Sequence, residues 1–255
     1  MVEITPPIEG PIRALVVGAR GGVGEAIADA LAAMAQVELL IESSQDSRWV
    51  AEAPLDLNAR RSRCQLKLPD PADGEALAES LDTGGVELNL IINCVGLLHD
   101  ARVQPERRLG ALDVEQMRTV FEVNCFALAT LLQVFTPRLP RRGRVIFASL
   151  SARVGSIGDN RLGGWHSYRS SKAAHNMLIK GASIELRRRN PELLCIALHP
   201  GTVDSDLSRP FQKRVPPEKL FSPEQSAAYL LKVIAALGPE ASGGFFAWDG
   251  APIEW

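Results

Sequence analysis

Short apolar runs rich in β-branched residues alternate along the chain with longer stretches whose apolar positions recur every three or four residues. Residues 12–17 (IRALVV) read as a strand ending in glycines, and 25–35, rich in Ala and Leu at helical spacing, as the helix after it. Strands follow at 37–41, 64–68 and 88–94 (LNLIINC). The last is apolar on both faces, as a buried parallel strand is. Residues 113–139 form one long helix with Pro137 near its end, and 144–148 (RVIFA) a fifth strand. A second long helix, 166–189, is closed by Asn190-Pro191, which cannot continue it. After a sixth strand at 193–198 comes Ser222-Pro223-Glu224-Gln225. An N-cap serine, Pro at the first helical position and Gln three residues on make a capping-box signature there. A seventh strand at 245–248 completes the pattern.

Strands alternating with helices mean βαβ units, hence a parallel sheet with helices on both faces. No repeat, low-complexity tract or linker divides the 255 residues. The expectation is one doubly wound α/β domain of Rossmann type over 1–255, with about seven parallel strands and an N-terminal extension over 1–11. A hydrophobic fraction of 46% with 23% charged residues is globular usage and argues against disorder. With 28 Lys+Arg against 30 Asp+Glu, the net charge of −2 argues against nucleic acid or an anionic membrane as partner. The longest apolar stretch, 125–135, is too short to span a bilayer. The first residues carry an acid and two prolines where a signal peptide has basic charge and an apolar core. Cys64, Cys94, Cys125 and Cys195 lie far apart within or beside apolar runs, which suits buried thiols in a reducing, cytoplasmic setting. His99, His166, His175 and His199 show no metal-ligand spacing, so no metal site is expected.

Chemistry enters at Val17-Gly18-Ala19-Arg20-Gly21-Gly22-Val23-Gly24, between the first strand and the first helix. Glycines let a backbone turn sharply and approach a pyrophosphate, while the helix N-terminus offers free N–H groups and a positive pole. A second signal is Tyr168-Arg169-Ser170-Ser171-Lys172. Residues four apart share a helix face, so phenol and ammonium project together. A cation within about 4–6 Å stabilises the phenolate, which makes Tyr168 a candidate general acid/base.

These motifs occur in order with Asn93-Cys94-Val95-Gly96 after the fourth strand, serines after the fifth, and Pro200-Gly201-Thr202 after the sixth. From about Ile12 to Trp248 the chain resembles the short-chain dehydrogenase/reductase family. The resemblance implies catalytic roles for Asn124, Ser151, Tyr168 and Lys172. Tyr168 would exchange the proton at the substrate oxygen. Lys172 would lower its pKa and hold the nicotinamide ribose, and Asn124 would kink the long helix and order a water beside the lysine. Cofactor contacts would come from Gly18, Arg20, Gly22, Val23, Gly24, Asp70, Asn93, Gly96, Pro200, Gly201 and Thr202, besides Tyr168 and Lys172. Asn93 would mainly hold the sheet together, Gly96 would admit the adenosine ribose, and Thr202 would bind the carboxamide. Val17 replaces the family's usual threonine. The serine motif places the catalytic hydroxyl on Ser151, with Ser149 as the alternative. Asp70 fits the adenine-contacting acid better than Asp56, which leaves too long a gap before Asn93.

The cofactor signals conflict. Glu42, just past the apolar part of the second strand, suggests NAD(H); Arg20, Ser43 and Ser44 suggest NADP(H). If that strand runs one residue further, Glu42 points away and the conflict disappears; NADP(H) is favoured, with NAD(H) the alternative. The leading function is a carbonyl reductase or alcohol dehydrogenase acting on a small-molecule carbonyl or alcohol substrate. A lyase or epimerase with retained cofactor and a non-catalytic dinucleotide sensor are the alternatives. The family resemblance also implies a homodimer or homotetramer. Residues 202–221, with three prolines and no period, read as a substrate lid. In it Leu207 and Phe211 would face the substrate, with Arg209, Lys213 and Arg214 in solvent.

Overall fold

The computed structural model describes residues 6–255. Its first half runs β1 (Ile12–Val17), α1 (Gly22–Ala32), β2 (Val37–Ser44), α2 (Ser47–Ala51), β3 (Arg61–Gln65), α3 (Ala72–Thr83) and β4 (Leu90–Asn93). The second half runs α4 (Val114–Phe121), α5 (Ala127–Phe135), β5 (Val145–Leu150), α6 (His166–Arg189), β6 (Leu193–His199), β7 (Thr202–Val203), β8 (Leu220–Phe221), α7 (Pro223–Ala236) and β9 (Phe245–Ala247). Seven strands form one sheet in the order β3-β2-β1-β4-β5-β6-β9, and every pairing is parallel. The order reverses between β1 and β4, so a crevice opens at their carboxyl ends, where doubly wound sheets bind ligands.

Alternate residues of each strand feed two cores. Leu15, Val17, Ile91, Phe147 and Cys195 pack with Leu128, Phe135 and Ile179 of α5 and α6 on one face. Ala14, Val16, Ile92, Ile146 and Leu198 pack with Ile27, Leu31, Leu230 and Ile234 of α1 and α7 on the other. A sheet covered on both sides explains why its strands read as continuous apolar runs. Ile8 is also buried, and the Pro7 carbonyl accepts from the Arg144 guanidinium, so the described part of the 1–11 extension docks on the domain. Residues 1–5 of it lie outside the described residues.

Three expectations are corrected, and one helix is added. The strand predicted at 37–41 continues to Ser44, because Glu42 is paired in the sheet rather than ending it: its carboxylate receives both Nε and Nη2 of Arg61 at 2.7 and 2.8 Å. The third strand lies three residues earlier than predicted, at polar Arg61–Gln65, with only Ser62 and Cys64 buried. Helix α3, on which Leu77, Ala78 and Leu81 face the core, carries too few apolar residues to stand out in the sequence. The single helix expected over 113–139 is interrupted by a π-turn, Glu122–Phe126, before α5 resumes. By composition alone Val114–Arg138 is long and apolar enough to cross a bilayer, but half of that window is buried inside the fold.

The capping box of α7 is present: Ser222 Oγ accepts from the Gln225 N–H and Gln225 Oε1 from the Ser222 N–H. The putting-together of β7 and β8 brings the two ends of the 202–221 segment side by side. Between them the chain makes two 3-10 turns, Arg209–Arg214 and Pro217–Lys219, over the carboxyl edge of the sheet.

Candidate active site

A cavity of about 610 Å³ lies at that edge. Its floor is the start of α1. Gly18 takes a left-handed φ of 77° that L side chains rarely adopt, and a Cβ on Gly24 would lie 2.3 Å from the Gly18 carbonyl oxygen. Only glycine therefore closes this turn. The result is a helix whose N-cap, Gly21, provides no capping side chain, so the first N–H groups of α1 have no side-chain partner. Arg20, Gly21, Gly22, Val23 and Gly24 line the cavity there. An open, positively polarised N-terminus at the switch point suits a pyrophosphate.

The opposite wall comes from α6. Its buried stripe follows helical spacing through Tyr168, Lys172, His175, Asn176 and Ile179, but is polar in its first turns because those face the cavity rather than the core. Tyr168 is 7% exposed and Lys172 2%. Burial raises the Tyr168 phenol above its ordinary value, so it is protonated at neutral pH. Burial also lowers the Lys172 ammonium to about 8, and its Nζ donates to the Leu150 carbonyl at 2.9 Å.

Asn124 sits in the π-turn, behind the cavity wall. Its amide donates to the Leu97 carbonyl and to Ser171 Oγ, and accepts from the Leu97 N–H at 2.7 Å. The Asn124 main-chain carbonyl accepts from His175 Nδ1 at 2.9 Å. Burial, reinforced by Lys172, lowers His175 to about 3, which keeps the imidazole neutral. Asn124 thus ties the loop after β4 to α6.

The two candidate serines differ in place. Ser149 is fully buried and accepts from Asn93 Nδ2 at 2.9 Å, which joins β4 to β5 and is the bracing expected of Asn93. Ser151 lines the cavity beside Ala152, and its hydroxyl donates to Asn176 Oδ1 at 2.6 Å. Gly96, Pro200, Gly201 and Thr202 line the cavity as well, as do Leu207 and Phe211 of the 202–221 segment. Arg209 and Lys213 are exposed, while the Arg214 side chain lies outside the described residues.

Asp70 is not brought to this site. It is exposed, outside the cavity lining, and its carboxylate accepts from the Ala72 N–H at the start of α3. Local spacing after the third strand selected it, but that strand ends at Gln65, so Asp70 is a turn residue next to a helix start. Glu42 is likewise removed from the cofactor question: it is 1% exposed and held by Arg61. The acid that the sequence reading missed is Asp46, past the true end of β2, whose carboxylate lies 3.2 Å from Arg20. It also accepts from the Arg48 and Trp49 N–H groups, which hold its pKa below the usual carboxylate value. Asp-x-x before a short helix was its available signal.

Trp165 and His99 were also missed. Trp165 lines the cavity, edge-on to Tyr168 at 6.3 Å and to Phe211 at 4.9 Å between ring centroids. His99 also packs edge-on to Phe211 at 5.5 Å, and its Nε2 is 3.1 Å from the Asp206 carbonyl. Among the described residues no group of acids, histidines and cysteines could hold a metal ion.

A doubly wound parallel sheet with an uncapped, glycine-rich helix start at its switch point defines the Rossmann class of α/β proteins. Residues 13–216 match the family model described as short chain dehydrogenase, and the chain belongs to that family. A 1-hydroxy-2-glutathionyl-2-methyl-3-butene dehydrogenase from Rhodococcus sp. (strain AD45) is 35% identical over 181 residues, 71% of this chain and 74% of that protein. The C-signal protein of Myxococcus xanthus is 33% identical over 148 residues, 58% of this chain and 83% of that one. Among solved structures, NADPH-bound carbonyl reductase from chicken fatty liver superposes with a TM-score of 0.80 and 26% identity, covering 100% of both chains.

Proposed function

We propose that this protein is an NAD(P)(H)-dependent oxidoreductase that interconverts a carbonyl compound and its alcohol, with Tyr168 as general acid/base. One observation carries the reading: Tyr168 and Lys172, on one face of α6, border the same cavity as the open N-terminus of α1. The nicotinamide would supply or take up the hydride at its C4. Gly22, Val23 and Gly24 would hold the pyrophosphate through backbone N–H groups, and Gly96, Lys172 and Thr202 would hold the nicotinamide half.

In reduction, the carbonyl oxygen gains negative charge as hydride reaches its carbon. Tyr168, kept protonated by burial, donates its proton there. The phenolate left behind is stabilised by the Lys172 cation one turn away. Ser151 can steady the substrate oxygen only by turning its hydroxyl from Asn176, a competition that lessens its share.

NADP(H) is the favoured cofactor. Arg20 has its side chain 60% exposed at the cavity; it is 3.2 Å from Asp46, and a 2′-phosphate would compete with that carboxylate for the guanidinium. The relative from chicken liver is described as NADPH-bound. Arg20→Ala is expected to weaken NADPH binding by roughly tenfold, a charged hydrogen bond's worth, with NADH binding nearly unchanged. Titration of both dinucleotides against both proteins checks this; equal losses would return the preference to NAD(H).

Leu98, Val154, Trp165, Leu207 and Phe211 make the substrate end apolar and aromatic. A neutral aldehyde or ketone suits this lining, beside the packed edges of Trp165 and Phe211. The test is the loss of NADPH absorbance across a panel of aromatic, aliphatic and acidic carbonyl compounds. Turnover concentrated on the aromatic members supports the reading, and no turnover with any member, with NADPH binding verified, rejects it.

A further inference from the structure

Glu106 is buried, 7% exposed, in the long connection between β4 and α4. Among the described residues no Lys, Arg or His pairs with its carboxylate. Its partners are instead on the first turn of α6. One carboxylate oxygen accepts from the Ser167 N–H at 3.2 Å, and the other from the Ser167 hydroxyl. The Glu106 backbone carbonyl accepts from the Trp165 N–H. The N-cap residue of α6 is Trp165, which makes no side-chain cap of its own. The cap of this 24-residue helix is therefore delivered by a side chain 61 positions away in sequence. An anion is stabilised by the free N–H groups and the positive pole at a helix start.

Trp165 also has an unusual backbone. Its φ of 50° makes it the one positive-φ residue other than glycine among the described residues, and Gly163 and Gly164 before it share that region. For a bulky side chain this conformation persists only when its surroundings hold it. What holds it is the Glu106 carbonyl on its N–H and the Glu106 carboxylate two residues on. The turn points the indole into the cavity, against the edges of Tyr168 and Phe211. The connection that carries Glu106 is itself anchored, since Asn124 binds both the N–H and the carbonyl of Leu97.

We propose that Glu106 is a positioning residue: by capping α6 from a distant loop it holds Trp165 in its left-handed turn and sets Tyr168 and Trp165 together toward the substrate. The inference rests on the reading of Tyr168 as the acid. A displacement of about 1 Å at a reacting group costs on the order of 10²-fold in rate. Glu106→Ala is expected to lower kcat by roughly 10- to 100-fold with the dissociation constant for NADPH within about twofold, because the glycine loop on α1 is not part of this contact. Glu106→Gln, which keeps an acceptor oxygen but loses the charge, is expected to fall between it and the unaltered enzyme.

A merely structural role would lower the melting temperature without changing substrate choice. The measurement is therefore kcat/KM for an aromatic and a small aliphatic aldehyde, beside thermal melting and NADPH titration. With the indole released, the preference for the aromatic substrate should collapse in Glu106→Ala. Should that variant fail to fold, Ser167→Ala, which removes one of the two contacts, is expected to show the same change at smaller size. Tyr168→Phe measured in parallel separates the two ideas. Full turnover in Tyr168→Phe would overturn the acid assignment. Loss of turnover there, with normal kcat and substrate preference in folded Glu106→Gln and Ser167→Ala, would overturn the positioning role of Glu106.

Discussion

Tyr168→Phe lowers kcat by about 10²–10⁴, the usual worth of a placed acid, and leaves NADPH affinity within about twofold. The change removes one oxygen and keeps the ring that packs against Trp165. Cofactor binding is expected to survive because the proposed pyrophosphate site is the open start of α1, not the Tyr168 hydroxyl. The contrast between lost turnover and retained binding is the diagnostic result, read from single-turnover NADPH oxidation and equilibrium titration. Near-normal turnover would remove Tyr168 from the chemistry. The pH profile adds a sign. Lys172 is lowered to about 8 by burial, so its cation, and with it the proposed support of the phenolate, is lost as pH rises through 8. Reduction by the unaltered enzyme should therefore decline above about pH 8.

Acidification from pH 7 to 5 is expected to lower the melting temperature by roughly 10 °C. His175 is fully buried and His199 is half-buried in the cavity wall, with pKa values lowered to about 3 and about 4, in both cases chiefly by desolvation. The unfolded chain has ordinary histidines near pH ~6.5. Between those values the unfolded state binds more protons than the folded one, so stability falls as pH drops through 6.5. At pH 5 both imidazoles stay neutral in the fold, and each unfolded histidine gains about 2 kcal/mol from protonation. For a domain of this length about 4 kcal/mol corresponds to the stated shift. His199 Nδ1 has no hydrogen-bond partner, so His199→Asn should fold and retain only about half of the pH effect. A melting temperature equal at pH 5 and 7 would mean that both side chains gain protons within the fold.

The alternation of strand and helix was legible because it is written in local spacing. Apolar runs mark the inner strands, and α6 starts and ends where its sequence pattern places it, at His166 and Arg189. The edge of the sheet was less legible. β3 is polar and β2 contains Glu42, so hydrophobicity alone moved one strand and shortened the other. The kink near Asn124 was expected from family resemblance, not from periodicity, since a π-turn changes only which carbonyls are bonded.

By itself the sequence determined the doubly wound architecture, the glycine turn at the start of α1 and the pairing of Tyr168 with Lys172 on one helix face. Each depends on residues within a few positions of one another, where spacing and φ preference are enough. Only the tertiary structure decided which polar and charged groups meet. Glu42 goes to Arg61, Arg20 to Asp46, Ser151 to Asn176, and Glu106 reaches across to Ser167. Asp70 and Asp46 each sit before a helix, and nothing local tells which of them meets Arg20. These pairs join residues 19 to 61 positions apart, apart from Asp70, whose partner is two residues on. Their choice follows from where the parallel strands end relative to one another, a property of the assembled sheet that no window of sequence contains.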